Sequence, residues 1–153
     1  MFARLLIKPF GTIWNLKELC KNGSNSNLKS RMYRFLYHYY QYEHGSAISF
    51  MAEFAGTPIL PHGTKQIVIT SDVKIGKNCV IFQQVTIQKE YLENSKLFGS
   101  PIIGDNCYIY PGAKIIGNVT IGNNVIIGSN TVVMQDIPDN TMVCLGEQKI
   151  TAL

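Results

Sequence analysis

The sequence predicts a mainly β protein, a parallel β-helix of triangular cross-section preceded by a short α-helical segment. Two observations support this prediction. Aliphatic residues recur at every sixth position from Ile69 to Val133, with one interruption, whereas the first 44 residues have apolar residues at helical spacing. The boundaries that follow are a helical segment 1–44, a β-helix 45–138 from which a loop 88–102 projects, and a C-terminal tail 139–153.

The composition is that of one folded domain of low charge. Of the 153 residues, 46% are hydrophobic and 16% are charged. A disordered chain is less apolar, and an average soluble domain has about a quarter of its residues charged. The net charge of +4 is not gathered into one basic run. Nucleic acid is therefore not an expected partner.

The four cysteines indicate free thiols in a reducing compartment. Cys20, Cys79, Cys107 and Cys144 are far apart and form no CxxC pair, so neither a metal site nor a redox couple is expected. The apolar run at the N-terminus ends at Lys8 and Pro9, well short of a signal peptide. We expect a cytoplasmic protein.

The first 44 residues predict helices with two breaks. Pro9 and Gly11 interrupt the first helical stretch, and the turn-forming residues 21–27 separate it from a second. In the second helix one apolar stripe is formed by Leu28, Met32, Phe35, Leu36 and Tyr39, and a parallel stripe by Tyr33, Tyr37 and Tyr40. Packing against the protein's own core and a neighbour is the favoured interpretation of these stripes. Contact with a membrane surface, with Lys29, Arg31 and Arg34 near lipid phosphates, is the less favoured one.

The six-residue repeat determines the cross-section. Its members are Ile69, Ile75, Ile81, Ile87, Ile103, Ile109, Ile115, Ile121, Ile127 and Val133. Six helical steps of about 100° do not return a side chain to the same face, so this ladder cannot be one face of an α-helix. A triangular coil with three short strands per turn satisfies it, because each repeat then supplies one strand and one corner. The ladder residue points into the interior.

A second set of small residues supports the same geometry. Four positions after the ladder residues lie Val73, Cys79, Val85, Cys107, Ala113, Val119, Val125, Thr131 and Ile137. They predict a second inward position, with Cys79 and Cys107 as core residues. Corners that tolerate left-handed backbone angles are expected at Asn78, Asn106, Asn118, Asn124 and Asn130. The segment 88–102 breaks the rhythm and predicts a loop projecting from one corner.

These segments resemble a known family. The runs IGKNCVIFQQVTI at 75–87 and IGDNCYIYPGAKIIGNVTIGNNVIIGSNTVV at 103–133, with LPHGTKQIVI at 60–69, are similar to the left-handed β-helix hexapeptide-repeat acyltransferases. Within these, the serine acetyltransferase branch and its short relatives of surface-polysaccharide biosynthesis are the most similar. The resemblance implies a left-handed coil, acetyl-CoA as co-substrate and a homotrimer with active sites between subunits.

The resemblance also implies roles for individual residues. His62 corresponds to the general base, and imidazole is suited to that role because it exchanges protons near neutral pH. The expected acetyl-CoA contacts are Gln88, Lys89, Pro111, Gly112, Ala113, Lys114, Ser129 and Lys149. The expected acceptor contacts are Gln83, Gln84 and Ser100. His38 and His44 match no family position and are expected to be surface or packing residues.

Three departures from the family pattern bear on the acceptor. Ala47 occupies the position of the Asp that orients the catalytic His, so Glu43, Glu53 or a backbone carbonyl would have to replace it. Ser100 occupies the position of a second family His, and Pro61 that of an acidic residue beside His62. Because these changes remove charges that would hold a zwitterion, the expected acceptor is a sugar or glycan hydroxyl.

Other functions were weighed against this expectation. Serine O-acetylation and N-acetylation of an amino sugar use the same fold with another acceptor. A trimeric scaffold with weak catalysis is the non-enzymatic alternative, motivated by Ala47. A metal-dependent hydratase would need three His ligands near the coil, and only His62 lies there in the sequence.

Overall fold

A computed structural model describes residues 2–24 and 27–146, and within that part of the chain a helical segment precedes a three-sided coil of short parallel strands. The helices are α1 (Phe2–Ile7), α2 (Ile13–Asn22) and α3 (Leu28–Glu43), with a 3-10 turn at Lys8–Phe10. The strands are β1 (Ala47–Ile48), β2 (Glu53–Phe54), β3 (Val68–Ile69), β4 (Lys74–Ile75), β5 (Val80–Ile81), β6 (Thr86–Gln88), β7 (Ile102–Ile103), β8 (Tyr108–Ile109), β9 (Lys114–Ile116), β10 (Thr120–Ile121), β11 (Ile126–Ile127), β12 (Val132–Val133) and β13 (Met142–Val143).

The helix breaks occur where the sequence predicts them. Pro9 lies in the 3-10 turn, and Gly11 follows it with φ +79°, a backbone angle that favours glycine. The Thr12 hydroxyl caps α2 by accepting a hydrogen bond from the Asn15 N–H at 3.2 Å. None of the helices in the described part of the chain has the length and hydropathy of a membrane-spanning segment.

The strands form three parallel sheets, one for each side of the coil. Sheet A has the order β1-β3-β6-β9-β12, sheet B the order β2-β4-β7-β10 and sheet C the order β5-β8-β11-β13. Ladder residues pair with ladder residues in register, as Ile69 does with Ile87 and Ile87 with Ile115. All ten ladder residues and all nine residues of the second inward set are buried, which confirms the predicted interior.

Three edges join the sheets, and we name them by their residues. The asparagine edge joins sheets B and C. Along it the side-chain amides of Asn78, Asn106 and Asn124 each donate to the side-chain oxygen of the asparagine in the next coil, at 2.9–3.1 Å, and Asn140 is the last acceptor. These four residues have positive φ as the corners require. Asn118 does not, because its neighbour Gly117 takes the left-handed angle at φ +87°.

The other two edges border sheet A. The His62 edge joins sheet C to sheet A and contains the corner segments 60–67, 82–85, 110–113 and 128–131. The loop edge joins sheet A to sheet B and contains the corner 70–73 and the projecting loop.

Two predicted boundaries need correction. Gln88 pairs with Ile116 in sheet A and Ile102 belongs to β7, so the loop comprises residues 89–101. The coil also extends past 138, because β13 pairs with β11 inside the predicted tail. In both places backbone pairing continues one or more residues beyond the hydrophobic repeat.

The tyrosine stripe of α3, and not the more hydrophobic stripe, faces the protein. Tyr37 and Tyr40 are buried, while Leu28 is 77% and Phe35 is 67% exposed. The Tyr37 hydroxyl donates to the carbonyl of Ile48 at 3.0 Å, which anchors α3 to the first strand of the coil. A buried tyrosine needs such a partner, and the coil supplies it.

Candidate active site

His62 lies in a tight turn on the His62 edge. The N–H of Gly63 donates to the carbonyl of Leu60 at 3.0 Å, and Gly63 has φ +69°, where a side chain would strain the backbone. The imidazole of His62 is exposed to solvent. The turn therefore presents the ring at the surface, as a general base that acts on a diffusible substrate requires.

An aromatic column continues from the His62 ring along the same edge. The His62 and Phe82 ring centroids are 6.1 Å apart, and Phe82 stacks on Tyr110 at 5.2 Å with an interplanar angle of 10°. Phe82 follows β5 and Tyr110 follows β8, which are neighbours in sheet C. Neither ring was predicted from the sequence to belong to the site, although Phe82 and Tyr110 each directly follow a ladder residue and lie in adjacent coils.

The structure gives His62 no orienting group within one chain. In the described residues its ring makes no hydrogen bond, so the expected roles of Glu43 and Glu53 are not fulfilled there. Glu53 lies in β2 of sheet B, the side of the coil that does not border the His62 edge.

Four of the eight expected coenzyme contacts, Pro111, Gly112, Ala113 and Ser129, lie on the His62 edge. Backbone hydrogen bonds link its corners: Gly112 N–H donates to the Gln83 carbonyl at 3.2 Å, and Asn130 N–H donates to the Pro111 carbonyl at 2.9 Å. Ser129 is exposed in the neighbouring corner, whereas Gly112 is buried. The edge is thus a row of stacked corners along which an extended ligand can lie.

Ala113 also lies on this edge, where the expected acetyl-CoA contact would be made by its backbone. The side chain is fully buried in the coil, because Ala113 occupies the second inward position of its repeat. Lys114 projects outward from sheet A instead, and its ammonium donates to the Gly112 carbonyl at 3.1 Å. This contact keeps a positive charge next to the edge.

The two expected glutamine contacts differ in their freedom to bind. The Gln84 amide donates to the side-chain oxygen of Gln66 at 2.9 Å and so completes a corner-to-corner contact. The side-chain oxygen of Gln83 is buried and has no hydrogen-bond partner in the described chain. Buried polar atoms are nearly always paired, so Gln83 is the better candidate for a ligand contact.

Gln88, Lys89 and Ser100 lie on the loop edge, across sheet A from His62. The Lys89 ammonium pairs with the Asp72 carboxylate at 3.1 Å, and the Ser100 hydroxyl donates to the carbonyl of Ser71 at 3.4 Å. One chain therefore does not bring these residues to the catalytic His.

A cleft of about 610 Å³ lies over the first strands of sheet A. It is lined by His38, Gln41, Tyr42, Ser46, Ala47, Ile48, Ser49, Phe50, Val68, Ile69, Thr70, Ser71 and Tyr91. No Asp, Glu, Lys or Arg is among these lining residues. Aromatic and hydroxyl side chains are the most numerous, and most of the accessible lining is apolar. The sequence analysis missed this cleft because helix, sheet and loop contribute to it from distant parts of the chain.

Comparisons with known proteins agree with this geometry. A family model described as bacterial transferase hexapeptide (six repeats) matches residues 100–135. A serine acetyltransferase of Staphylococcus xylosus is 43% identical over 77 residues, which cover 50% of this chain and 35% of that protein. The solved serine acetyltransferase isoform 3 of Entamoeba histolytica, in complex with cysteine, has a TM-score of 0.74 at 27% identity and covers 92% of this chain and 49% of its own.

The chain is therefore similar to the hexapeptide-repeat acyltransferases of the serine acetyltransferase branch. A further serine acetyltransferase structure, in complex with CoA, shares the fold at 22% identity and a TM-score of 0.68, covering 86% of this chain and 51% of its own. The expected left-handed β-helix is thereby confirmed. The chain spans about half the length of these solved structures and about a third of the curated relative.

The remaining histidines of this hexapeptide-repeat protein have the packing and surface positions expected. The His44 ring stacks on Tyr40 with centroids 4.2 Å apart, and His38 is exposed at the rim of the cleft. Within residues 2–24 and 27–146, no three His, Cys, Asp or Glu side chains are grouped as a metal site would need. Lys149, an expected phosphate contact, lies outside the described residues.

Proposed function

We propose that the protein is an acetyl-CoA-dependent O-acetyltransferase with His62 as its general base. The observation that supports this most is the His62 edge, where an exposed imidazole begins a row of in-register corners ending at Ser129. The relatives are named acetyltransferases, and one similar structure holds CoA. The long pantetheine arm of acetyl-CoA fits a row of backbone groups better than a closed pocket.

The reaction then follows from the residues on this edge. His62 removes the proton of an acceptor hydroxyl while the hydroxyl oxygen attacks the thioester carbonyl of acetyl-CoA. A tetrahedral intermediate forms, and backbone N–H groups stabilise its oxyanion. The carbon–sulfur bond breaks, and the CoA sulfur takes the proton from the His62 imidazolium. Acetylated acceptor and CoA are the products.

We place the complete active site between subunits of a homotrimer. Gln88, Lys89 and Ser100 are on the loop edge of sheet A, and His62 is on the other edge, so a second chain must contribute one of the two sets. The absence of a hydrogen bond to His62 within the described residues supports the same arrangement, since a neighbouring chain would supply the orienting group.

Four free cysteines favour a reducing, cytoplasmic location.

The acceptor we propose is a hydroxyl of a sugar or glycan precursor. The cleft over sheet A has no carboxylate, Lys or Arg among its lining residues, and Ala47 lies within it. A free amino acid carries two opposite charges, and burying them requires fixed partners of both signs. A neutral polyol requires hydrogen-bonding groups and aromatic faces, and the cleft offers both.

L-Serine is the second candidate, favoured by the names of the relatives. The two candidates separate in one experiment, in which CoA release from acetyl-CoA is followed with L-serine, amino sugars, nucleotide sugars and oligosaccharides as acceptors. Transfer to a carbohydrate hydroxyl well above transfer to serine supports the proposal. A higher kcat/KM for serine than for any carbohydrate assigns the chain to serine O-acetylation. Transfer exclusively to an amine assigns it to N-acetylation. If acetyl-CoA is neither hydrolysed nor used to acetylate any acceptor, the result favours the trimeric scaffold with weak catalysis.

A further inference from the structure

The exposed face of α3 forms an apolar stripe that no described part of the chain covers. Leu28 is 77%, Met32 48%, Phe35 67% and Tyr42 84% exposed. At about 100° per residue these four side chains lie within one third of the helix circumference. The opposite face, with Tyr37 and Tyr40, packs on the protein. The stripe therefore points away from the coil.

The apolar surface continues onto α1. This helix packs against α3, and its Leu5 is 67% and its Leu6 38% exposed. Scattered exposed apolar residues are ordinary on protein surfaces, but two adjacent helices that both expose several of them form a patch, and patches mark interaction sites. The patch is separate from the His62 edge, and it meets the cleft over sheet A at Tyr42.

Charge around the stripe is positive. Residues 1–44 contain seven Lys and Arg against two Glu, a net +5, whereas residues 45–153 contain seven against eight, a net −1. Lys29 and Arg31 are exposed and flank the stripe on its two sides. The two carboxylates are engaged, Glu18 with the Lys17 ammonium at 3.3 Å and Glu43 with the Tyr39 hydroxyl.

We propose that this face of α1 and α3, which we call the basic helical face, docks on an anionic lipid surface. An apolar stripe with basic residues on its flanks is the arrangement by which helices lie in the membrane interface, with aromatic and aliphatic side chains among the lipids and Lys or Arg near phosphates. A second copy of the chain is a poorer occupant, because two helical segments that each carry a net charge of +5 would repel each other.

Vesicle co-sedimentation tests this with the full chain. We expect binding to vesicles of phosphatidylcholine mixed with phosphatidylglycerol, little binding to phosphatidylcholine alone, and weaker binding as salt is added. Equal binding to both vesicles at low and high salt, or binding to neither, would overturn the proposal. If the chain self-associates without lipid and Phe35→Ser dissociates that assembly, the face binds a second copy of the chain. That result would also overturn the proposal of lipid binding.

Two kinds of variant identify the surface. Phe35→Ser removes an exposed apolar side chain, and Lys29→Glu with Arg31→Glu reverses the flanking charge. Each is expected to lower the vesicle partition coefficient by about tenfold or more. Ile102→Ser on sheet B and Lys77→Glu on the asparagine edge are the matched controls, since both positions are exposed outside the basic helical face. If the control variants weaken vesicle binding as much as the test variants do, the basic helical face is not the binding surface. If Phe35→Ser does not fold, Lys29→Glu with Arg31→Glu still tests whether this face binds lipid.

Discussion

Individual corner residues determine how closely successive coils can stack on the His62 edge. Gly112 has φ +74°, and a side chain there would collide with the Asn130 amide oxygen of the next coil. Its N–H also donates to the Gln83 carbonyl. A glycine at this corner therefore meets two requirements, a left-handed backbone angle and close approach between coils.

Gly112→Ala should destabilise the protein by about 1–3 kcal/mol, because the added methyl group strains the backbone and displaces Asn130. Urea unfolding followed by circular dichroism measures this change. Gly56→Ala is the matched control, since its added methyl group would meet Lys77 only at ordinary contact distances of 3.8–4.0 Å. Equal stability of the two variants would show that the corner relaxes without cost.

His62→Ala should lower kcat by about 10²–10⁴ and leave acetyl-CoA affinity nearly unchanged, because a general base acts in the transition state. Steady-state kinetics on the best acceptor, together with calorimetric titration of CoA, separate the two effects. Lys65→Ala changes an exposed neighbour in the same corner and should retain wild-type turnover. Wild-type kcat in His62→Ala would assign the base to another group.

At the scale of elements, α2 docks on the coil through an unusual buried cation. Lys17 is 2% exposed, its ammonium lies 5.1 Å from the centroid of the Phe54 ring, and Trp14 packs edge-on against the same ring at 5.0 Å. Burial lowers the pKa of Lys17 below its ordinary 10.5, although the attraction of Glu18 opposes this. Since Glu18 is 60% exposed, solvent weakens that attraction.

Lys17→Met should raise stability by about 1 kcal/mol at neutral pH, because it keeps the apolar stem and removes a desolvated charge. The gain should narrow as pH rises toward 10.5, because the folded-state lysine loses its proton before the unfolded-state lysine does, and the wild type regains stability over that range. Urea unfolding at neutral and alkaline pH measures both effects. Lys21→Met, on an exposed position of the same helix, should change little. A marked loss of stability in Lys17→Met would mean that the contacts with Phe54 and Glu18 outweigh desolvation.

At the scale of the whole molecule, the outer face of sheet C lacks the polar residues of the other two sides. Its strands are Val80–Ile81, Tyr108–Ile109, Ile126–Ile127 and Met142–Val143, and Tyr108 is 45% and Met142 64% exposed. Sheet B, in contrast, presents Glu53, Lys74 and Thr120. We therefore expect sheet C to be buried between subunits.

Tyr108→Lys should dissociate the homotrimer and lower acetyl transfer with it, because a charge would be buried in an apolar contact and the shared active site would be lost. Sedimentation velocity distinguishes three chains from the 17.1 kDa monomer. Ile102→Lys on sheet B is the matched control and should remain trimeric. A wild type that sediments as a stable monomer at micromolar concentration would contradict the trimer itself.

The strict six-residue repeat is enough to predict the β-helix, because it is compatible with a coil of three parallel strands per turn and not with one face of an α-helix. His62 was predicted from the resemblance to the acyltransferase family, because it precedes the first residue of the ladder. The same six-residue count assigns Ala113 to an inward position, where the structure has it.

The buried face of α3, in contrast, could be identified only from the tertiary structure. The more hydrophobic stripe is exposed and the tyrosine stripe is inside, because the Tyr37 hydroxyl and the Gln41 amide find partners in the backbone of Ile48 that no local pattern reveals. The cleft at Ala47 likewise depends on α3, β1 and Tyr91 meeting across the chain. Long-range polar contacts of this kind are set by packing, and sequence periodicity contains no information about them.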